Sequence, residues 1–273
     1  MIRRTLTAMA LAAGLFAASA TFAQEARVEP PAAPETAAAH MHDDWDAILR
    51  AHVRADRVDY VGLAGRDLGK LDRYLLRLAA VNADTLPAPD RVAFWLNLYN
   101  ATVVRAVCAR WHEGWRPDAD AFALFKAPIV RMKAGEYTLD MLEHQVIRRR
   151  MSDPRIHAAL CCAAVSCPPL QPRAYRGATV DSLLEVDMRS FVMDRTRNQF
   201  DPATRTARLS QVFEWYVRDF GGEEGRAVIL EAFSGLDTKG WTVKYLPYDW
   251  SLNIVAPAAA PAAAGKPGKG KKK

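Results

Sequence analysis

The sequence predicts an α+β protein, a mostly helical single domain with a buried central helix and a small β-sheet. In most segments of the body, apolar residues recur at helical spacing, and only a few short stretches have the composition of strands. One segment, Asp90 to Trp111, is apolar on nearly every side. It is therefore predicted to be the central helix, with Asp90 as its cap.

Two amphipathic helices are predicted ahead of the central helix, over Asp44 to His52 and Leu68 to Ala80. Within the central helix, Asn97 and Asn100 lie three residues apart and therefore share a face. Amides in an apolar setting must find hydrogen-bond partners. The two asparagines are thus either a binding face or internal braces for neighbouring loop backbone.

The next helix is predicted to begin near Thr138, after a turn at Ala134-Gly135 and a short strand. Glu143 and His144 are adjacent in it, so they are expected to point about 100° apart on an α-helix. By themselves they are not expected to form a shared site. Only one of them is expected to face inward.

Arg155 to Ala163 is predicted to be a buried strand, because it follows a helix-ending Asp-Pro pair and packs small residues. On a strand, His157 and Cys161 would share a face but lie about 13 Å apart, and Cys162 would point the other way. Neither thiol is expected to meet His157 through the strand alone.

The C-terminal third completes the predicted fold. A helix capped by Ser210 is expected first, followed by a second helix over Gly225 to Phe233. The aromatic segment WTVKYLPYDWSLN comes last and is expected to close the core.

The body is flanked by segments rich in Ala and Pro that lack aromatic residues able to anchor a core. Both are predicted to be disordered. The body between them has the size of one domain. The predicted regions are a signal peptide over 1–23, a disordered linker over 24–41, the folded domain over 42–255, and a disordered Ala/Pro/Lys tail over 256–273.

The N-terminus has the pattern of a cleaved signal peptide. Arg3 and Arg4 precede an apolar run, and the small residue Ala23 follows it. The run is too short for a comfortable membrane anchor, which needs about 20 apolar residues. The mature protein is therefore expected to be soluble and exported, either periplasmic or secreted.

The formal net charge of +6 comes from the ends of the chain. Of the 37 basic residues, two arginines precede the apolar run and five lysines lie in the tail. The basic residues that remain in the body nearly equal the 31 acidic residues in number, so the body is close to neutral. Specific nucleic-acid binding is therefore not expected. The lysine tail is the candidate contact for anionic envelope surfaces. No cofactor is predicted, and no particular substrate or protein partner is indicated.

Six segments together resemble the domain of unknown function 547 family (DUF547). They are VDY, AFWLNLYNATVV, YTLDMLEHQVIR, DPRIHAALCCAAVSCPPL, LSQVFEWYVRDFG and LPYDWSLN, in family order from about Val58 to Asn253. The resemblance implies the fold and no established reaction. The matching positions are Asn97, Asn100, Glu143, His144, His157, Cys162, Cys167, Tyr248, Asp249, Trp250 and Asn253, whereas Cys161 departs from the family pattern.

The candidate site is a polar pocket of unestablished activity. Its catalytic candidates are His157, Cys162 and Cys167, and its other predicted residues are Asn97, Asn100, Glu143, His144 and Asp249. The two cysteines are five residues apart in an exported protein, which favours a structural disulfide contributing about 2 kcal/mol.

Three alternatives to a disulfide remain open. Cys162 or Cys167 could be the nucleophile of a papain-like or transglutaminase-like hydrolase or acyl transferase, with His157 or His144 as its base. A zinc site would draw on both histidines and both cysteines, although tight paired spacings are lacking. The last alternative is thiol-disulfide exchange.

Overall fold

A computed structural model describes residues 40–255. The predicted signal peptide, the predicted tail and all but the last two residues of the predicted linker lie outside the described residues. Within them the chain is mostly helical with small sheets, so the predicted α+β class is confirmed.

The helices and strands follow one another along the whole described range. The helices are α1 (Asp43–His52), α2 (Tyr60–Arg66), α3 (Leu68–Ala79), α4 (Ala88–Arg110), α5 (Ala119–Lys126), α6 (Leu139–Met141), α7 (Arg148–Met151), α8 (Val180–Met193), α9 (Val212–Trp215) and α10 (Gly222–Ser234). The strands are β1 (Val53–Arg54), β2 (Arg57–Val58), β3 (Val130–Met132), β4 (Gly135–Tyr137), β5 (Gln199–Asp201), β6 (Thr206–Leu209) and β7 (Thr242–Tyr245). A π-helical segment, Leu142–Ile147, joins α6 to α7, and 3-10 turns lie at Ala83–Thr85 and Pro154–Ala158.

The predicted central helix is α4, and it is buried along most of its length. By length and composition alone α4 could cross a membrane, but most of its apolar window is buried inside the domain. The predicted cap was wrong. Pro87 precedes the helix as its N-cap, and Asp90 lies in the first turn, where a carboxylate still favours the helix dipole.

The strands form small sheets at the edges of the helical core. The hairpins β1-β2 and β3-β4 are antiparallel, and β6 lies between antiparallel β5 and parallel β7. Side chains of β6 pack with α8, α9 and α10 in a second apolar cluster, which contains Ala207, Leu209 and Phe213. This cluster packs against the buried face of α9.

The segment predicted to be a buried strand after Asp153 is a 3-10 turn, Pro154–Ala158, followed by an irregular loop. Pro154 is compatible with the first position of such a turn, and the carboxylate of Asp153 accepts the backbone N–H of Arg155 at 2.9 Å. The strand prediction was therefore wrong. The separations and facing directions inferred for His157, Cys161 and Cys162 on a strand do not apply.

The C-terminal segment holds the loop that carries the cysteines, as predicted for a segment that closes the core. Asn253 donates its backbone N–H to Ala163 at 2.9 Å, and its carbonyl accepts from Val58 at 2.8 Å. Val165 donates to Ser251 at 2.8 Å. These bonds tie the cysteine loop to the β1-β2 hairpin.

Candidate functional site

A cavity of about 350 Å³ opens where α4, α5, the π-helical segment, the cysteine loop, α9 and the C-terminal segment meet. Five of the predicted site residues line it: Glu143, His144, His157, Cys162 and Cys167. Three others, Asn97, Asn100 and Asp249, are not among its lining residues. The sequence analysis missed most of the aromatic lining, which includes Tyr99, Phe122, Trp215, Tyr216, Tyr248 and Trp250.

Glu143 and His144 both line the cavity, but only together with side chains from other elements, and Glu143 is the one that faces inward. They lie on the π-helical segment Leu142–Ile147. A π-helix closes its hydrogen bonds over five residues, so neighbours diverge less around its axis than on an α-helix. Glu143 is the deeper of the two, with its side chain 13% exposed, and His144 lies at the rim with 45% exposed.

Glu143 is held by two phenols. The hydroxyl of Tyr99 donates to Oε2 at 2.9 Å, and that of Tyr216 donates to Oε1 at 2.6 Å. Burial raises the pKa of both tyrosines, so both hydroxyls keep their protons and act as donors. Among residues 40–255, the hydrogen bonds to the Glu143 carboxylate thus come from phenols and not from a cation.

His157 forms a linked set with two residues that the sequence analysis did not single out. Its Nε2 lies 2.8 Å from Oδ2 of Asp219. Arg148 grips the same carboxylate with two bonds, from Nε at 2.6 Å and from Nη2 at 2.8 Å. The hydrogen bonds from Arg148 are the main reason that the pKa of Asp219 lies below its usual range. Asp219 is therefore an ionised acceptor at neutral pH.

The ionised carboxylate decides the tautomer of His157. Because Asp219 can only accept, Nε2 of His157 must carry the hydrogen, and Nδ1 keeps its lone pair. Among residues 40–255 no side chain is hydrogen-bonded to that Nδ1. The ring is stacked on Tyr216 at 4.0 Å between centroids. Burial lowers the pKa of His157 despite the carboxylate, so the imidazole is neutral at pH 7.

His144 has the opposite arrangement. Arg148 donates from Nη1 to Nδ1 of His144 at 2.9 Å, and a guanidinium has no lone pair to accept with. Nδ1 of His144 is therefore occupied as an acceptor, and Nε2 carries the hydrogen. His144 can donate a hydrogen bond at the rim, but neutral His144 has no free nitrogen to act as a base.

Asn97 and Asn100 are braces for loop backbone. Asn97 pairs with both the carbonyl and the N–H of Tyr175, at 2.8 and 3.0 Å. Asn100 donates to the carbonyl of Ala159 at 2.9 Å and accepts from the N–H of Cys161 at 3.0 Å. Of the two interpretations of these amides, the structure favours the structural one, and Asn100 sets the path of the chain between His157 and Cys162.

The cysteines are free in the structure. None of the four, Cys108, Cys161, Cys162 and Cys167, forms a disulfide within the described residues. The predicted Cys162–Cys167 bond is not found, because Cys162 presents its backbone to Cys167. The N–H of Cys162 donates to Sγ of Cys167 at 2.7 Å, whereas its own Sγ contacts the hydroxyl of Tyr248 at 3.2 Å.

The thiols differ in access to the cavity. Cys162 and Cys167 both line it, but Cys162 is half-buried, whereas Cys161 and Cys167 are each 3% exposed. Burial raises the pKa of Cys167 well above the ordinary value and that of Cys108 to about 11. Cys162 is therefore the thiol placed best to meet a ligand.

Asp249 lies outside the cavity lining. Its backbone N–H donates to Ser166 at 2.9 Å, and its carboxylate accepts the N–H of Ser251 at 2.8 Å. Its role is thus to shape the turn that follows Tyr248. Across residues 40–255, no group of three or more His, Cys, Asp or Glu side chains is arranged to hold a metal ion.

Fold and site together define a helical α+β domain with a cavity lined by a thiol, a carboxylate-paired imidazole and aromatic rings. Residues 83–192 match the model of the family described as "Protein of unknown function, DUF547". This match confirms the predicted resemblance to the DUF547 family over a region that carries Glu143, His157 and Cys162. Comparisons with curated proteins and with solved structures each found no match.

Proposed function

We propose that the protein is a thiol-dependent hydrolase or acyl transferase, with Cys162 as nucleophile and His157 as general base. One observation carries this proposal. A half-buried thiol and an imidazole with an unoccupied ring nitrogen face the same cavity of about 350 Å³. A nucleophile, a base and a third group that orients the base are what acyl transfer through a cysteine requires.

Asp219 supplies the orienting group. Its carboxylate holds Nε2–H of His157 and leaves Nδ1 free to accept a proton. Tyr216, stacked on the imidazole and bonded to Glu143, restrains the ring plane. The same logic disfavours His144 as the base, because Arg148 occupies its acceptor nitrogen.

In the resting structure the thiol of Cys162 is paired with Tyr248, and no hydrogen bond in the described part of the chain joins it to His157. On substrate binding, the thiol proton passes to Nδ1 of His157, directly or through one water. Burial raises the pKa of Tyr248 well above its ordinary value, so its hydroxyl stays a donor. It can stabilise the thiolate or the oxyanion that follows.

The reaction then has two halves. The sulfur of Cys162 bonds to the carbonyl carbon, and the π electrons move onto the oxygen. When the carbonyl re-forms, the bond to the leaving alcohol or amine breaks, and that group takes the proton from His157. Water then gives a proton to His157 and attacks the thioester, which releases the acid and the thiol. In acyl transfer an amine or alcohol replaces water in the second half.

Limited alkylation tests the nucleophile. Iodoacetamide at neutral pH should modify Cys162 first, because Cys161 and Cys167 are buried and Cys108 has a raised pKa. The product is read by peptide mass mapping. Turnover is measured on ester, thioester and amide probes with wild-type protein, Cys162→Ala and Cys108→Ala.

The proposal expects Cys162→Ala to abolish turnover, while Cys108→Ala keeps it. Turnover that persists in Cys162→Ala would show that the thiol is not the nucleophile. His157→Gln should lose turnover while still folding, as monitored by circular dichroism. Equal alkylation of all four thiols would contradict the prediction that Cys162 is the most accessible thiol.

The predicted export stays part of the proposal, since it rests on the Arg3-Arg4 pair and the apolar run before Ala23. Cell fractionation with N-terminal sequencing of the mature chain tests it. Full-length protein found only in the cytosol would refute export and leave the cavity chemistry untouched.

A further inference from the structure

The mouth of the cavity is walled by aromatic rings from distant parts of the chain. Tyr248 lies 4.8 Å from Trp215 and 4.5 Å from Trp250 between ring centroids. The two indoles are 6.0 Å apart and nearly parallel, and Phe122 meets Trp250 edge-on at 5.0 Å. Trp215 is 45% exposed and Phe122 37% exposed. Aromatic surface of Trp215 and Phe122 is thus exposed beside the thiol of Cys162.

The same cavity carries an excess of negative charge. Asp140 and Glu143 line it, one helical turn apart, and Lys126 is the lining residue that carries a formal positive charge. Asp140 forms no ion pair among residues 40–255, and the hydrogen-bond donors to Glu143 are neutral phenols. A buried or half-buried carboxylate without a cation attracts one strongly from solution.

The protein already places cations on aromatic faces at the edges of this cavity. The guanidinium of Arg148 lies 4.9 Å from the ring centre of Tyr216, and the ammonium of Lys126 lies 6.0 Å from that of Phe122. In the described part of the chain, no cation covers Trp215, Tyr248 or Trp250 in this way. Trp215 is the most exposed of these three rings, and Tyr248 and Trp250 pack against it.

We infer that the cavity selects acyl substrates that carry an ammonium group, bound between the rings of Trp215, Tyr248 and Trp250 and the carboxylates of Asp140 and Glu143. The inference rests on the proposed function, because it takes the ligand to be a substrate. It adds the chemical class of that substrate. Aromatic faces and carboxylates both favour a cation over a neutral group of the same shape.

Matched ligands test the charge alone. Choline and 3,3-dimethylbutan-1-ol have the same shape and differ in whether nitrogen with a positive charge or neutral carbon bears the three methyl groups. Each is titrated against alkylation of Cys162 by iodoacetamide, a neutral reagent. Choline should protect the thiol at a concentration about tenfold lower than its neutral isostere. Equal protection by the two ligands would overturn the inference.

Variants locate the effect. Trp215→Leu and Asp140→Asn should each reduce the preference for choline several-fold, because each removes one component of the site. Glu214→Gln is the matched control, since Glu214 is exposed beside Trp215 and does not line the cavity. It removes the same charge and should leave the preference unchanged. A loss of preference in Glu214→Gln as large as in Asp140→Asn would show a diffuse surface effect and refute the site.

A readout that needs no reaction separates this inference from the proposed function. In Cys162→Ser, the same two ligands are titrated by tryptophan fluorescence. A preference for choline there supports the cation site even if Cys162 proves unreactive in every assay. If Cys162 does react but fluorescence shows no binding of choline, or no preference for it, the thiol chemistry stands and the ammonium site is refuted.

Discussion

Asp219→Asn isolates the contribution of the carboxylate that orients His157. The change keeps the shape of the side chain and removes its charge. In the structure this carboxylate accepts one bond from His157 and two from Arg148, at distances of 2.6 to 2.8 Å. An amide can replace one acceptor but not the bidentate pair, and it can stabilise either tautomer of the imidazole.

The magnitudes follow from these contacts. Asp219 has its side chain 26% exposed, so solvent weakens its ion pair with Arg148. Replacing charge-assisted bonds at such a site should lower the free energy of unfolding by about 1 to 2 kcal/mol. The catalytic cost should be larger, about 10² to 10⁴ in kcat, because much of the imidazole would adopt the unproductive tautomer.

The pH dependence has a defined sign. Asp219 raises the pKa of His157 against the larger lowering by burial, so Asp219→Asn should lower this pKa further. A base works in its neutral form, so the acid limb of kcat should shift to lower pH in the variant. Steady-state kinetics across the pH range and chemical denaturation measure both effects. Unchanged kcat with an unchanged acid limb would refute the role of Asp219 as the orienting group.

Two further predictions concern stability. Asn100→Ala should lower the free energy of unfolding by about 2 to 4 kcal/mol, because it leaves the buried carbonyl of Ala159 and N–H of Cys161 unpaired, and it should change the rate of Cys162 alkylation. Asn97→Ala is its matched control: it should destabilise similarly, since it frees two groups of Tyr175, but leave the alkylation rate of the folded protein unchanged. His42 is buried with a pKa lowered to about 4, mainly by desolvation, so the stability that its neutral form provides is complete above pH 6.5 and is lost as pH falls toward 4. That loss is worth up to about 3 kcal/mol; His42→Gln should flatten this part of the curve of unfolding free energy against pH, and an acid limb as steep as that of wild type would contradict it.

Periodicity located most of the helices, because burial of one helix face imposes a pattern that a single sequence displays. The predicted Leu68 to Ala80 helix is observed as Leu68–Ala79, and the central helix is displaced by about two residues at its start and one at its end. The helix near Ser210 proved shorter, Val212–Trp215, although the hydroxyl of Ser210 accepts the N–H of Val212 at 3.3 Å. The sequence therefore also predicted the hydrogen bond of the Ser210 side chain at the start of this helix.

Two of the differences between prediction and structure share a cause, which is local structure that has no simple period. The stretch after Asp153 is apolar and small, which suits a strand, but it begins with a 3-10 turn, and it is its end at Ala163 that bonds to backbone of the C-terminal segment. The middle of the predicted helix after Thr138 is π-helical over Leu142–Ile147, a rare local form that the apolar pattern did not indicate. Both lie at the candidate site, and the 3-10 turn changed the expected separations of His157, Cys161 and Cys162.

The sequence by itself determined the fold class, the resemblance to the DUF547 family and the residues worth testing: a histidine, clustered cysteines and a Glu-His pair. Only the tertiary structure decided their roles. It turned Cys162 toward Tyr248 rather than Cys167 and brought Asp219 to Nε2 of His157 from 62 residues away. It also placed Arg148 against Nδ1 of His144. The reason is that hydrogen-bond partners are chosen by proximity in space, and residues distant along the chain leave no spacing pattern that reveals them.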